Sequence, residues 1–254
     1  MDTPTGFRCA ACGEWHDELP LAFHILEPAA WVQASRLQRF GGVLGEEQGE
    51  LGPHRFVRGL IRLPIVDGPQ DFEWGVWVSL SSQNYEPMGE LWEQPGRERE
   101  PPYSGWLSND LSAYPSTTLN LKSFVYTQPV GLRPLIELEP TEHPLALEQH
   151  EGITMARAEE LAAIGLHPEG RSALEPAASG PAEWRPRSEQ ALEGWYGRAA
   201  EAGLAGAAME LALQLRDRGQ TTRAQPFFRQ AADAGIVEAG AEAERLEEHG
   251  EEPL

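Results

Sequence analysis

The chain has 254 residues, 41% of them hydrophobic and 24% charged, which is enough to build one or two globular cores and too apolar for a chain disordered throughout. Lys and Arg number 20 against 40 Asp and Glu, a net charge of −20. Such a surface repels phosphate backbones and anionic headgroups, arguing against nucleic-acid and membrane binding and leaving solubility, a basic protein partner or a cation for the acidity to serve.

The first feature in chain order is "CAACGEWH" at 9–16, which holds both cysteines of the chain. Before it, "MDTPTGFR" lacks the charged start and apolar run of a leader, and nowhere does an apolar stretch approach the roughly 20 residues that span a bilayer. The expected location is the cytoplasm, where a close Cys pair is more often metal-binding or redox-active than a disulfide. A Cys-x-x-Cys loop followed by Gly13 lets Cys9 and Cys12 point at one metal, and His16 is near enough to add a nitrogen. Tetrahedral zinc then needs one more ligand, from His24, His54, His143, His150 or an acid. Two inert thiols are the bland alternative. A redox pair fits less well, because it belongs between a strand and a helix and "GEWHDELPLAF" soon meets Pro20.

Residues 54–66 and 71–81, rich in β-branched and aromatic residues, read as a hairpin turning at Asp67 and Gly68. His54, Arg58 and Arg62 share a face of the first strand, which reads as a salt-bridged outer surface. Residues 84–94 suggest a short helix capped by Asn84. A second strand pair is expected at 119–129 and 132–140, with Glu137 and Glu139 on one face. A firmer helix covers 151–165, capped by Thr154 and ended by Gly165. The order gives an α+β fold, mainly antiparallel sheet with packed helices, over residues 1–166. Six tryptophans fall here (Trp15, Trp31, Trp74, Trp77, Trp92 and Trp106), as core filling or as the lining of an aromatic protein-binding groove.

Residues 167–187 are rich in Pro, Gly, Ser and Ala and read as a linker. Beyond it, 188–254 contains a repeat: "WYGRAAEAG" at 195–203 returns as "FFRQAADAG" at 227–235, each followed by an Ala-rich helix. This small all-α region resembles the Sel-one-like repeats, a variant of the tetratricopeptide helix pair. Two repeats are fewer than the three or so that stand alone, so the array should pack on the first unit or on another protein.

Phosphate-binding loops, dinucleotide glycine patterns, the G-x-S-x-G elbow and H-E-x-x-H are absent from the sequence. Together, "FRCAACGEWHDELPLAF", "RFVRGLIRLPI", "FEWGVWVSLS", "PPYSGWLSNDL" and the run from Leu119 to Thr154 resemble the bacterial domain of unknown function 2199 family, over about residues 7–166. The resemblance implies that the family's paired Cys, Gly and His correspond to Cys9, Cys12, Gly13 and His16. Its His-Pro-Leu segment corresponds to His143–Leu145, making His143 the preferred fourth ligand, His54 the next, and His24 a poor one. The expected function is a non-enzymatic cytoplasmic binding or adaptor protein with a structural zinc at Cys9, Cys12, His16 and His143. The alternatives are a zinc hydrolase with an open metal position and Glu14, Glu137 or Glu139 as base, or an acidic inhibitor of a basic toxin or nuclease.

Overall fold

The computed structural model describes residues 6–167 and 188–250. The expected linker therefore lies outside the described residues, apart from His167. A two-stranded sheet of β1 (Phe7–Arg8) and β2 (Trp15–His16) comes first, followed by β3 (Ala22–His24). Two five-residue helices, α1 (Ala29–Gln33) and α2 (Arg36–Phe40), precede β4 (Val43–Leu44), β5 (Gln48–Leu51), β6 (His54–Leu63) and β7 (Phe72–Leu80). Next are α3 (Ser82–Glu90), β8 (Tyr103–Leu107), β9 (Lys122–Tyr126), β10 (Leu135–Leu138), α4 (Pro144–Glu151) and α5 (Met155–Leu166).

The expected hairpin is β6–β7, in register from Arg55 opposite Leu80 to Leu63 opposite Phe72. The sheet continues β7–β8–β9–β10 in antiparallel steps, and β10 then pairs parallel with β6 through Leu135 and Leu60. Five strands thereby close into a barrel, which removes their free edges. Gly59 permits the closure: a Cβ there would lie 2.6 Å from Ile136 Cδ1 and 2.9 Å from the Pro134 carbonyl. Period-two alternation sends Val57, Ile61 and Leu63 inward to meet Phe72, Trp74, Val76 and Val78, all buried. Tyr85 and Met88 of α3, Leu145 of α4 and Leu161 of α5 complete this core.

Several local expectations shift. Ser81, not Asn84, caps α3, its Oγ accepting from the Asn84 N–H, while the Asn84 side chain donates to the Ser104 carbonyl at 2.9 Å. Thr154 does cap α5, but the helix runs through Gly165 to Leu166. A Cβ on Gly165 would lie 2.3 Å from the Phe23 ring, so this glycine serves close packing rather than termination. Arg58 is buried, not solvent-facing: it lies over the Trp77 ring and donates to the Ile25 carbonyl at 3.0 Å.

The C-terminal helices are α6 (Glu189–Glu201), α7 (Ala205–Asp217), α8 (Thr221–Asp233) and α9 (Val237–Gly250). The two sequence copies end alike. Gly203 and Gly235 take φ of +96° and +97°, and the next N–H reaches back five residues in each, Leu204 to Ala199 and Ile236 to Ala231. This is the left-handed helix stop that glycine allows at least cost. Buried alanines at 199, 200, 207, 208, 212, 224, 231, 239 and 243 let the helices approach closely.

The array rests on the barrel. Val125 of β9 faces the barrel core, and its neighbour Phe124 faces outward to stack on Trp195, with ring centroids 4.0 Å apart and planes 14° apart. Lys122 donates to the Tyr196 hydroxyl and Arg198 pairs with Glu137 beside that stack. No helix among the described residues is long and apolar enough to cross a membrane.

Candidate metal centre

The two cysteines sit in the tight loop joining β1 to β2. Antiparallel pairing sets Phe7 opposite His16 and Arg8 opposite Trp15. At the mouth of the loop the Cys9 N–H donates to the Glu14 carbonyl at 2.9 Å, and the Gly13 N–H returns to the Cys9 carbonyl at 2.9 Å. Gly13 takes φ +76°, a conformation in which a Cβ would be strained. The reversal places Cys12 Sγ 3.4 Å from His16 Nε2. Cys9 is buried against Phe7 and against Ala162 and Ala163 of α5, whereas Cys12 is exposed. Burial pushes the Cys9 thiol up, but the backbone N–H groups of Cys12 and Ala11 and the Cys12 thiol outweigh it, leaving Cys9 below the ordinary thiol value.

The fourth member of the cluster comes from the far end of α5. His167 caps that helix, its N–H bonded to the Ala163 carbonyl at 3.2 Å, and its ring stands edge-on to His16 at 5.7 Å. Phe7 stacks on His16 with ring centroids 5.3 Å apart. The ligand atoms of Cys9, Cys12, His16 and His167 all lie within 4.8 Å of one another, an arrangement that could hold a metal ion. His167 Nε2 is buried with no hydrogen-bond partner among the described residues. An orphaned imidazole nitrogen is costly unless something occupies it, and two sulfurs with two imidazoles form a donor set that suits a borderline-soft cation. Beside this cluster, a groove of about 360 Å³ runs between Ala10–Ala11 and α5, lined by Arg157, Glu160 and His167.

His143, the expected fourth ligand, is not brought to this cluster. It is fully buried as the N-cap of α4, where its Nδ1 accepts the Leu145 N–H at 3.0 Å. Burial lowers its pKa, against the opposing influence of the Ser116 and Thr117 carbonyls. Of the other candidates, His54 stacks on Phe56, His150 Nε2 lies 2.8 Å from the Leu138 carbonyl, and His24 packs against Gly75. Glu137 stands on β10 and pairs with Arg198 of α6, and Glu139 follows the last residue of that strand, its N–H donating to the Lys122 carbonyl at 2.8 Å. Burial raises the Glu139 pKa, with Lys122 and the Tyr196 hydroxyl pulling the other way.

His167 escaped the sequence reading because nothing local marks it. It follows a helix by one residue, opens a Pro- and Gly-rich stretch, and lies far along the chain from His16. The cue was indirect: the stripe Ala158, Leu161 and Ala162 sets one side of α5 against the core, and only the tertiary fold shows that its C-terminal end reaches the Cys loop.

Comparison with curated proteins and with solved structures finds no match. A family profile covers residues 8–153, more than half of the chain, and this span includes Cys9, Cys12, His16 and every barrel strand but stops short of His167 and the C-terminal helices. With the Cys loop and the closed barrel both inside that span, the chain belongs to the bacterial domain of unknown function 2199 family, described as an uncharacterized protein conserved in bacteria.

Proposed function

We propose that this is a non-enzymatic binding protein of the cytoplasm, in which a structural zinc held by Cys9, Cys12, His16 and His167 fastens the α+β unit and the helical unit contacts another protein. The units follow the composition, residues 1–166 and 188–254 joined through 167–187. The observation that carries the metal reading is the gathering of four donor atoms within 4.8 Å. Zn–S and Zn–N bonds near 2.3 and 2.0 Å in a tetrahedron separate sulfur from nitrogen by about 3.5 Å. The Cys12 to His16 separation is 3.4 Å. Four protein ligands leave no open position, which is the pattern of structural rather than catalytic zinc. The hydrolase alternative needs a base beside the metal: Glu137 and Glu139 are engaged at the barrel–helix seam, which leaves Glu14 of the Cys loop as its one candidate among the three. The inhibitor alternative rests on net charge and on exposed aromatics such as Trp15 and Trp106. The adaptor role draws on the Sel-one-like resemblance of the helical pairs, a scaffold that presents extended binding surfaces.

Native mass spectrometry tests the metal reading, on protein purified without a metal-affinity tag and compared with its denatured mass. One zinc per chain is expected, absent from the Cys9→Ser/Cys12→Ser double variant, weakened in His167→Ala and retained in His143→Ala. A bare mass under reducing, chelator-free conditions overturns the zinc, and loss of metal from His143→Ala but not from His167→Ala overturns the ligand set.

A further inference from the structure

The segment from Leu26 to Val43 departs from the rest of the surface in two ways. It supplies five of the twelve large apolar side chains that stand exposed among the described residues: Leu26, Val32, Leu37, Phe40 and Val43. Leu37 is 83% exposed and Phe40 91%, and as i and i+3 of α2 they project from one side of the helix. Neither α1 nor α2 contains a fully buried residue, so the pair forms a thin covering over the barrel flank.

The second departure is charge. In a chain of net charge −20, residues 26–43 carry Arg36 and Arg39 against a single acid, Glu27. Neither arginine has a carboxylate partner among the described residues, although most other arginines of the structure do. Arg39 spends one donor on the Val32 carbonyl at 2.8 Å, while its Nε is buried with no partner. Next to this ridge lies a groove of about 490 Å³, floored by Ala30, Ala34, Leu51 and Pro53, with no acidic side chain in its lining. Beyond it, β4 forms the outer edge of the sheet.

We infer that this face is a docking surface for an acidic, amphipathic polypeptide segment of another protein. The partner's carboxylates would meet Arg36 and Arg39, and its apolar side chains would cover Leu37 and Phe40 and enter the groove. Arginine is among the residues that dominate interface hot spots, and a guanidinium with no carboxylate partner of its own can take one from another chain in a bidentate pair. Two other occupants fit less well. An anionic bilayer repels a body of charge −20 as a whole, whereas a short segment feels mainly the charges within a Debye length of about 8 Å. A second copy docked face to face sets the arginines against themselves, and docked face to acid it makes a ring or an open chain rather than a two-fold dimer. The inference uses none of the four proposed metal ligands and goes beyond the adaptor reading by naming a second face and the chemistry of its partner.

The test is selection from a randomised short-peptide display library on the full chain, with counter-selection on the Leu37→Glu/Phe40→Asp variant. Both side chains are solvent-exposed, so the variant should keep the wild-type circular dichroism spectrum and Tm. The expected result is enrichment of peptides combining Asp or Glu with Leu, Ile or Phe. Their affinity should fall about tenfold or more in that variant and again in Arg36→Glu/Arg39→Glu. Enrichment of basic or charge-indifferent peptides, or no enrichment that depends on residues 37 and 40, overturns the inference. So does co-sedimentation with phosphatidylglycerol vesicles that Phe40→Asp abolishes, which assigns the face to a membrane. Concentration-dependent self-association that Leu37→Glu abolishes assigns it to a second copy.

Discussion

The barrel and the helical array solve one problem in opposite ways. In the barrel, the closing pair joins β6 to β10 across some 75 residues of chain, and Gly59 is meaningful only because Ile136 arrives from so far away. In the array each helix packs on the next, and Gly203, Gly219 and Gly235 stop successive helices with the same bond, an N–H reaching back five residues. The barrel's information is therefore spread over the chain, whereas the array's is written twice in short strings. The five barrel strands close on one another, so the sheet ends only at its appended strands β3 and β4, while a repeat stack has two ends of its own. Here Phe124 and Lys122 of β9 take the place of a terminal repeat against Trp195 and Tyr196.

That contrast can be broken at the seam first. Trp195→Ala removes a fully buried ring and its stack on Phe124, and should cost about 3–5 kcal/mol in chemical denaturation. The loss should show as early melting of α6–α9, with β6–β10 persisting, and hydrogen exchange resolves the two. A single transition with all amides weakened alike would show that barrel and array are one cooperative unit.

Metal should act on the other side of the comparison. At a free zinc concentration about 100 times Kd, binding stabilises the folded chain by about 2.7 kcal/mol. The gain should appear in exchange protection of β1, β2 and the end of α5, leave the helical array unchanged, and vanish in Cys9→Ser/Cys12→Ser. Equal protection of the array would mean that the loop speaks to the whole chain.

A smaller effect measures how alike the repeats are. Gly203→Ala and Gly235→Ala each force a Cβ into positive φ, at about 1–2 kcal/mol by thermal melting. At Gly203 the new Cβ also lies 3.1 Å from Pro101 Cγ, so that variant should be the more destabilised, and the difference reads the contact with the barrel side. Identical losses would remove Pro101 from the account.

The smallest effect is in pH. Burial holds His143 below its ordinary pKa, so the unfolded chain binds a proton before the folded one does. Stability from this group is full above about pH 6.5, the unfolded value, and is lost as pH falls through the lowered folded value. In chelator, His143→Asn should keep an N-cap and flatten that part of the acid limb; an unchanged Tm profile between pH 7 and 5 would argue that His143 contributes nothing.

The legible parts of this molecule were those with a local cause. The β6–β7 hairpin follows from alternation around Asp67–Gly68, α5 from the Thr154 cap and its apolar stripe, and the array from its repeated strings. Barrel closure was not legible, because a parallel contact between Leu135 and Leu60 leaves no trace in either strand. The same holds for the site. Cys9, Cys12 and His16 announce themselves by spacing, but the choice among distant histidines depends on where helices end in space. His143 is held instead at the start of α4, its Nδ1 accepting the Leu145 N–H, and the donor atoms gathered around the Cys loop are those of Cys9, Cys12, His16 and His167. The short helices α1 and α2 also escaped, having no period to read in five residues each.

Lys122 has one more consequence. It is the only lysine in 254 residues, and its ammonium is held by the Tyr196 hydroxyl, 4.9 Å from that ring's centre and 5.9 Å from the Trp195 ring's. Acylating or cross-linking reagents directed at side-chain amines therefore have one target, and it lies in the seam between barrel and helices. The rate at which such a reagent marks Lys122, read from peptide masses, is a clock for the opening of that seam, built into the protein without any introduced label.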